Sequence, residues 1–288
     1  MKVLLIDGDN NLHRAYHKFT YMKDKKGDST SMIYGFPMIL GSLMKMFKPD
    51  EVVCAFDKGR HERRLEILPD YKERPGRSDR EEFNRQRDIT EKIVKNLGVG
   101  YVRKTGHEAD DIIYWLIRQY KDVASKIIIV SRDKDFHQLI SDQVSVWNPH
   151  DSVMMTDLNK HGLNPKESLE YLILDGDSSD NIPGYPGVGK VTALALLKRF
   201  GSIRQFLASE EEFKRIDKEK LKTIYKRNKE LIGIKTFFRR NLLDVEYKII
   251  RKEINYEVIN KIAKRHNIKS FNDSFYKPFE ELGLKYDI

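Results

Sequence analysis

Asp7 follows the apolar run Leu4-Leu5-Ile6, Asp57 follows Ala55-Phe56, and Asp133 and Asp135 follow Ile128-Ile129-Val130. Three strand-like runs thus end in acids, and in an open α/β sheet the C-terminal edge of the strands is where sites are built. Glu108, Asp110 and Asp111 stand just ahead of the apolar helical stretch Ile112–Ile117, and Asp177 and Asp180 flank a break after Leu174. Taken singly, each has an ordinary explanation as a helix-dipole acid, a helix cap or a turn former. Taken together at one sheet edge, these nine carboxylates repel one another and take up protons unless cations neutralise them. Hard divalent ions with oxygen ligands fit that demand, Mg²⁺ or Mn²⁺ in its place. Zinc does not suit the set, because Cys54 is the single cysteine and no closely spaced histidine set is available. Asp9 reads as a loop former beyond the strand end rather than as a ligand.

A second constellation lies between Asn181 and Lys190, where a Pro- and Gly-rich turn leads into the helical stretch Val191–Phe200 and ends at Gly201. Gly187 and Gly189, on either side of Val188, let the backbone turn tightly at a helix N-terminus, where free N–H groups bind a phosphate oxygen. Lys190 adds positive charge at that point. Such a hairpin reads no bases, so its binding is expected to be independent of sequence and sensitive to salt. Charge agrees with a polyanionic partner: 53 Lys and Arg against 44 Asp and Glu give a formal +9 and a pI of about 9.3. Most of the excess is local, with eleven basic and three acidic residues from Lys214 to Arg240.

The elements that must position these groups follow from periodicity. Continuous apolar runs at Val3–Ile6, Val52–Phe56 and Ile127–Val130, with shorter ones near Gln143–Trp147 and Val153–Thr156, read as strands. Helical spacing occupies Ile33–Phe47, Arg80–Leu97, Ala109–Tyr120 and Lys166–Leu174. Together these predict an α/β fold with a mainly parallel central sheet flanked by helices. After Leu174 the strand signal fades, which places a boundary between an α/β domain over 1–174 and a helical domain over 175–288. Met22–Ser31 is polar enough for a mobile loop. One cysteine excludes an internal disulfide and reads as cytoplasmic. No run reaches the ~20 apolar residues that a membrane span requires.

The ordered motifs Leu5-Ile6-Asp7-Gly8 with Arg14, Phe56-Asp57 with Leu68-Pro69-Asp70-Tyr71-Lys72, Glu108-Ala109-Asp110-Asp111, Ser131-Arg132-Asp133-Lys134-Asp135 and Gly176-Asp177-Ser178-Ser179-Asp180-Asn181-Ile182-Pro183-Gly184 resemble those of the structure-specific 5′ nucleases. That family includes phage flap endonucleases and the 5′-nuclease domain of bacterial DNA polymerase I. Tyr34-Gly35-Phe36 is similar to the family as well. The resemblance implies a PIN-like nuclease domain, a helical arch or clamp near 71–90 and a C-terminal helix-hairpin-helix. It further implies that Asp7, Asp57, Glu108, Asp110, Asp133 and Asp135 hold a first metal, that Asp135, Asp177 and Asp180 complete a second site, and that Asp111 lies behind or bridges them. Lys72 would stabilise charge on the scissile phosphate, Arg74 or Arg77 would assist, and Arg14 would steer the phosphate. Tyr71 either stacks on a base or packs. DNA with 5′ ends, flaps or branches is the implied partner, a potassium ion at the hairpin a further implication, and a DNA polymerase a companion to a monomeric enzyme in a bacterial cell or phage-infected host.

Three other readings compete. An aspartyl-nucleophile phosphatase would use Asp7-Gly8-Asp9, but its later acidic motif should follow a strand of the same sheet, whereas Gly176-Asp177 follows helical spacing. A module that binds branched DNA without cutting it would have lost carboxylates, and none is missing. A single-domain RNA-cleaving nuclease would need neither the hairpin nor the basic extension.

Overall fold

The computed structural model describes residues 1–73, 79–158, 162–214 and 216–283. β1 (Lys2–Asp7), β2 (Glu51–Phe56), β3 (Gly100–Arg103), β4 (Lys126–Val130), β5 (Val144–Asn148) and β6 (Val153–Met155) form one sheet in the order β3-β2-β1-β4-β5-β6. The first five are parallel, and β6 pairs antiparallel with β5. The connection order reverses between β1 and β4, so a crevice opens at the carboxyl ends of those two neighbours.

Alternation along β1 and β2 sends side chains to opposite faces. Leu4, Ile6, Val52, Cys54 and Phe56 meet α1 (Gly8–Lys18), α2 (Ser31–Phe47) and, beyond the short α3 (Glu62–Ile67), α4 (Arg80–Val94). Val3, Leu5, Val53 and Ala55 meet α5 (Ala109–Tyr120) on the other face. Burial on both faces explains why these strands read as unbroken apolar runs. Burial also pushes the Cys54 thiol far up, as a small core hydrophobe rather than a nucleophile.

A third core is built from α6 (Pro165–Asp175), α7 (Lys190–Phe200), α8 (Ile203–Ala208) and α9 (Lys218–Ile232), with Tyr71 inserted from the sheet domain. Asn164 caps α6 reciprocally with Glu167. Between α6 and α7 lies a two-stranded ribbon, β7 (Gly176–Asp177) and β8 (Ile182–Pro183), separate from the main sheet. The chain then returns: α10 (Ile234–Asn241) joins the α5 face, while α11 (Tyr256–Arg265) and α12 (Asp273–Gly283) join the α2 and α4 face. Main-chain hydrogen bonds between Tyr101 and Ile250 cover the free edge of β3. We therefore propose a division by core, with 163–232 apart and 234–282 returned to the sheet, instead of one cut after residue 174.

Sequence periodicity did not reveal β3 and α1, nor the short α3 and the β7–β8 ribbon. β3 is short, begins with glycine and ends with arginine, and α1 opens on Gly-Asp-Asn-Asn, residues that favour turns. Met22–Ser31 closes on itself through a Lys23–Ser29 bridge, with Asp24 accepting from the amides of Lys26 and Asp28 at 2.8 and 3.1 Å. α4 packs Phe83, Ile93 and Val94 into the core, so from Arg80 onward the 71–90 segment is a seated helix. Residues 74–78, the centre of the expected arch, lie outside the described residues. No helix among the described residues is long and apolar enough to cross a membrane.

Gly176 and Gly184 meet back to back where the β7–β8 ribbon leaves α6. A Cβ on Gly184 would overlap the main chain of Leu174 and Asp175, and one on Gly176 would overlap that of Ile182 and Gly184. Because backbone cannot yield as a flexible side chain does, Gly184→Ala is expected to lower the unfolding free energy by about 1–3 kcal/mol, read from urea midpoints.

Candidate active site

The acids of four successive sheet strands do converge. Asp7 ends β1 and caps α1, accepting from the Asn10 amide at 3.2 Å and the Ser131 hydroxyl at 2.6 Å. Asp57 follows β2 and accepts the Ala109 amide at 2.6 Å. Glu108 and Asp110 stand at the N-terminus of α5, after β3. Asp133 follows β4 and accepts the Asp135 amide at 2.9 Å. From the helical side, Asp177 and Asp180 reach the same edge: one carboxylate oxygen each of Asp135, Asp177 and Asp180 lies within 4.8 Å of the others.

Such crowding leaves its mark on protonation. Burial, aided by the charge of Asp133, raises Asp7 to about 7. Asp180 is raised to about 6 by burial and neighbouring acids, against the pull of Lys72. Asp57 and Asp135 are pushed well above the usual carboxylate range by burial and then by their acidic neighbours. A buried oxygen of Asp135, Oδ1, has no hydrogen-bond partner among the described residues. An all-carboxylate set, over-negative, partly unsatisfied and open at one edge, fits a hard divalent cation.

Not every acid is free for that role. Arg64, which sequence reasoning passed over in a run of charges, is fully buried and holds Asp111 through both guanidinium nitrogens at 2.7 and 2.9 Å. Both oxygens of Asp111 are thereby engaged, and this residue lies behind the edge as the anchor of Arg64, one of the two positions that the resemblance implied for it. The same guanidinium donates to Glu108 at 2.8 Å and stacks 3.8 Å from the Phe237 ring centre. Glu108 also accepts from the Tyr71 hydroxyl at 3.0 Å and from the Lys72 ammonium. Burial pushes its carboxyl up, and the Arg64 and Lys72 charges outweigh this to leave it at about 2.

Tyr71 is only 1% exposed, so its ring is a packing group beneath the site and is not placed to stack on a base. Lys72 projects into the acid cluster, with its ammonium 3.6 Å from Asp180 and its amide donating to the Asp180 carbonyl at 3.0 Å. Asn181, in a left-handed conformation, clamps this turn by donating to the carbonyls of Asp70 and Glu73, both at 2.8 Å. Arg74 and Arg77 lie outside the described residues. Arg14, on α1, lines a cavity of about 280 Å³ with Tyr34 and Trp147, and makes no hydrogen bond or ion pair among the described residues. Asp9 is not in a loop: it sits in the first turn of α1, accepting the Asp57 amide at 2.6 Å and pairing with Arg87 at 3.0 Å.

At the hairpin, Gly187 takes a left-handed φ of 75°, and nothing crowds it or Gly189 within 4 Å. Val188 is buried in the helical core and roots the turn. Lys190 is exposed, and Gly189 begins α7 without a side-chain cap, leaving first-turn amides for an anion. α9 borders the hairpin: Asp217 donates its amide to the Tyr185 hydroxyl at 2.9 Å, and Arg227 donates to the Pro183 carbonyl at 2.6 Å. Lys220, Lys222 and Lys226 on α9 are exposed. Gly176-Asp177 follows a helix and pairs outside the main sheet, which removes the basis of the phosphatase reading.

A carboxylate-rich sheet edge beside an amide-lined, basic hairpin defines a site of the phosphodiester-handling class. Family models place the chain further: the 5′-3′ exonuclease N-terminal resolvase-like domain matches residues 2–167, and the 5′-3′ exonuclease C-terminal SAM fold matches residues 163–261. A 5′-3′ exonuclease of Aquifex aeolicus is 35% identical over 264 residues, covering 88% of this chain and 89% of the relative. DNA polymerase I of Mycobacterium tuberculosis is 34% identical over 214 residues, which span 71% of this chain and 24% of the polymerase. Among solved structures, the bacteriophage T5 flap endonuclease in a complex with DNA and metal ions shares the fold with a TM-score of 0.71 at 18% identity, over 99% of this chain and 100% of that one. The chain belongs to the 5′-3′ exonuclease family.

In the cation-free protein, Asp7 and Asp180 keep protons that the unfolded chain has already released above about pH 4. Their contribution to stability is therefore complete below that pH and is lost as pH rises through 6 to 7. Melting in EDTA is expected to fall across this window. Mg²⁺ should raise it most at the alkaline end, as thermal melts at several pH values with and without the ion would show.

Proposed function

We propose that this chain is a divalent-metal-dependent nuclease that hydrolyses DNA phosphodiester bonds, acting as a 5′-3′ exonuclease and as an endonuclease on 5′ flaps in replication and repair. The observation that carries this reading is the meeting of Asp135 with Asp177 and Asp180. It joins the acidic edge of the sheet to the helical unit that bears the phosphate-facing hairpin. The name of the Aquifex relative supports it, as does the flap endonuclease of the T5 complex.

Asp135, Asp177 and Asp180 would hold one Mg²⁺, and Asp7, Asp57, Asp110, Asp133 and Asp135 another, directly or through water, with Glu108, whose two oxygens accept from Arg64, Tyr71 and Lys72, reaching it through water. Bound there, the ions supply Lewis-acid activation of water and charge neutralisation at the phosphate. The chain's own residues do the rest. Lys72, tethered at the cluster by Asp180 and Glu108, is placed to meet negative charge developing on the scissile phosphate. Arg14 steers the phosphate, and Arg74 or Arg77 assists. Amides at Gly187 to Lys190 and the exposed lysines of α9 hold the duplex backbone, with a potassium ion at hairpin carbonyls. We assign the enzyme as a cytoplasmic monomer working beside a DNA polymerase, a pairing supported by the related segment within the mycobacterial DNA polymerase I.

A 5′-labelled flap substrate tests this. Cleavage near the junction should require Mg²⁺, cease in EDTA, and fall by about 100-fold or more in Lys72→Met and Asp133→Asn. Tight binding of branched DNA with no cutting under any divalent ion would overturn the enzyme in favour of a binding module.

A further inference from the structure

Behind the acidic edge lies a buried ion cluster that the mechanism above does not use. Its centre is Glu91 on α4, whose side chain is 3% exposed. Glu91 accepts from Arg87 and Arg103, both at 3.0 Å, and from the Tyr101 hydroxyl at 2.6 Å. The two arginines converge on one main-chain atom, the carbonyl oxygen of Asp57, at 2.6 Å from Arg87 and 3.0 Å from Arg103. On the other side of the same residue, the Asp57 amide donates to Asp9 at 2.6 Å, and Asp9 is itself paired with Arg87 at 3.0 Å. The Ala109 amide fixes the rotation of the side chain through Oδ1. Oδ2 has no hydrogen-bond donor among the described residues and remains for a cation.

We propose that Arg87 is a positioning residue of the nuclease reaction, clamping the Asp57 peptide between α1, α4 and β3 so that its carboxylate is presented to the divalent ion. This rests on the metal-dependent reading above. Asp57 has passed the end of β2, and no sheet partner holds its peptide. The guanidinium supplies what the ladder no longer can, and its planar fork reaches Asp57, Asp9 and Glu91 together in a way that lysine cannot.

The test is Mn²⁺ binding by calorimetry without DNA, paired with the Mg²⁺ concentration for half-maximal flap cleavage, on wild type, Arg87→Met and Arg87→Lys. Arg87→Met is expected to weaken Mn²⁺ binding and raise the Mg²⁺ midpoint by about 10- to 100-fold, with Arg87→Lys between it and wild type. DNA affinity measured in EDTA should stay unchanged. A folded Arg87→Met protein with wild-type Mn²⁺ affinity overturns the proposal. Should that variant not fold, Asp9→Ala, which removes the acceptor of the Asp57 amide, decides it, and unaltered Mn²⁺ affinity there overturns it equally. Wild type that binds no Mn²⁺ would strike down the metal-dependent reading and this proposal with it, whereas wild-type binding with unmoved variants strikes down the positioning role alone.

Discussion

Like charges forced together in a poorly solvated place are the constraint on which the rest of this structure depends. Carboxylates from the ends of β1, β2 and β4, from the start of α5 and from the β7–β8 ribbon meet at one edge. No arrangement of neutral side chains makes that stable at neutral pH. The protein answers in three ways at once. Arg64 and Lys72 neutralise Glu108, and Arg64 pairs with Asp111, whose burial still raises its carboxyl to about 7. Asp7, Asp57, Asp135 and Asp180 are pushed towards their protonated forms. The remaining negative charge is left open at the crevice, where cations and then a phosphate can enter.

The fold is arranged to keep this balance. The reversal of strand order at β1 and β4 creates the crevice, and two covered faces of the sheet hold its strand ends rigidly. The helical unit is more than an accessory. Asp177 and Asp180 come from it, Tyr71 plugs into its core, and Asn181 ties its ribbon to the Lys72 turn. The same few residues after α6 therefore carry two acids of the cluster, hold the Lys72 turn and lead into the glycine hairpin ahead of α7. Close packing of Gly176 against Gly184 makes so short a passage between these tasks possible.

Much of this was legible in the sequence, and the reasons are physical. Asp7, Asp57, Asp133 and Asp135 were visible because acids after buried parallel strands contrast sharply with the apolar runs before them. The hairpin was visible because glycines and prolines in that order leave the backbone few choices. Arg64 was invisible, since an arginine within Glu62-Arg63-Arg64 looks like solvated charge until tertiary structure surrounds it with Asp111, Glu108 and Phe237. Tyr71 was ambiguous for a related reason: an aromatic beside Lys72 fits a stacking surface as well as a core, and only burial separates the two. Arg87 carried no signal and Asp9 read as a loop former, because they act on the main chain of Asp57 and not on a side chain whose type could announce the pairing.

In the cation-free protein, protons stand on carboxylates to which we assign divalent cations. Calorimetric titration with Mg²⁺ in two buffers of different ionisation enthalpy, at pH 6.5 and again at pH 8.5, measures the protons released per ion bound. Clear release is expected at pH 6.5, where Asp7 (about 7) and its neighbours still hold protons, and little at pH 8.5. Binding without proton release at pH 6.5, or no binding at either pH, would contradict that assignment.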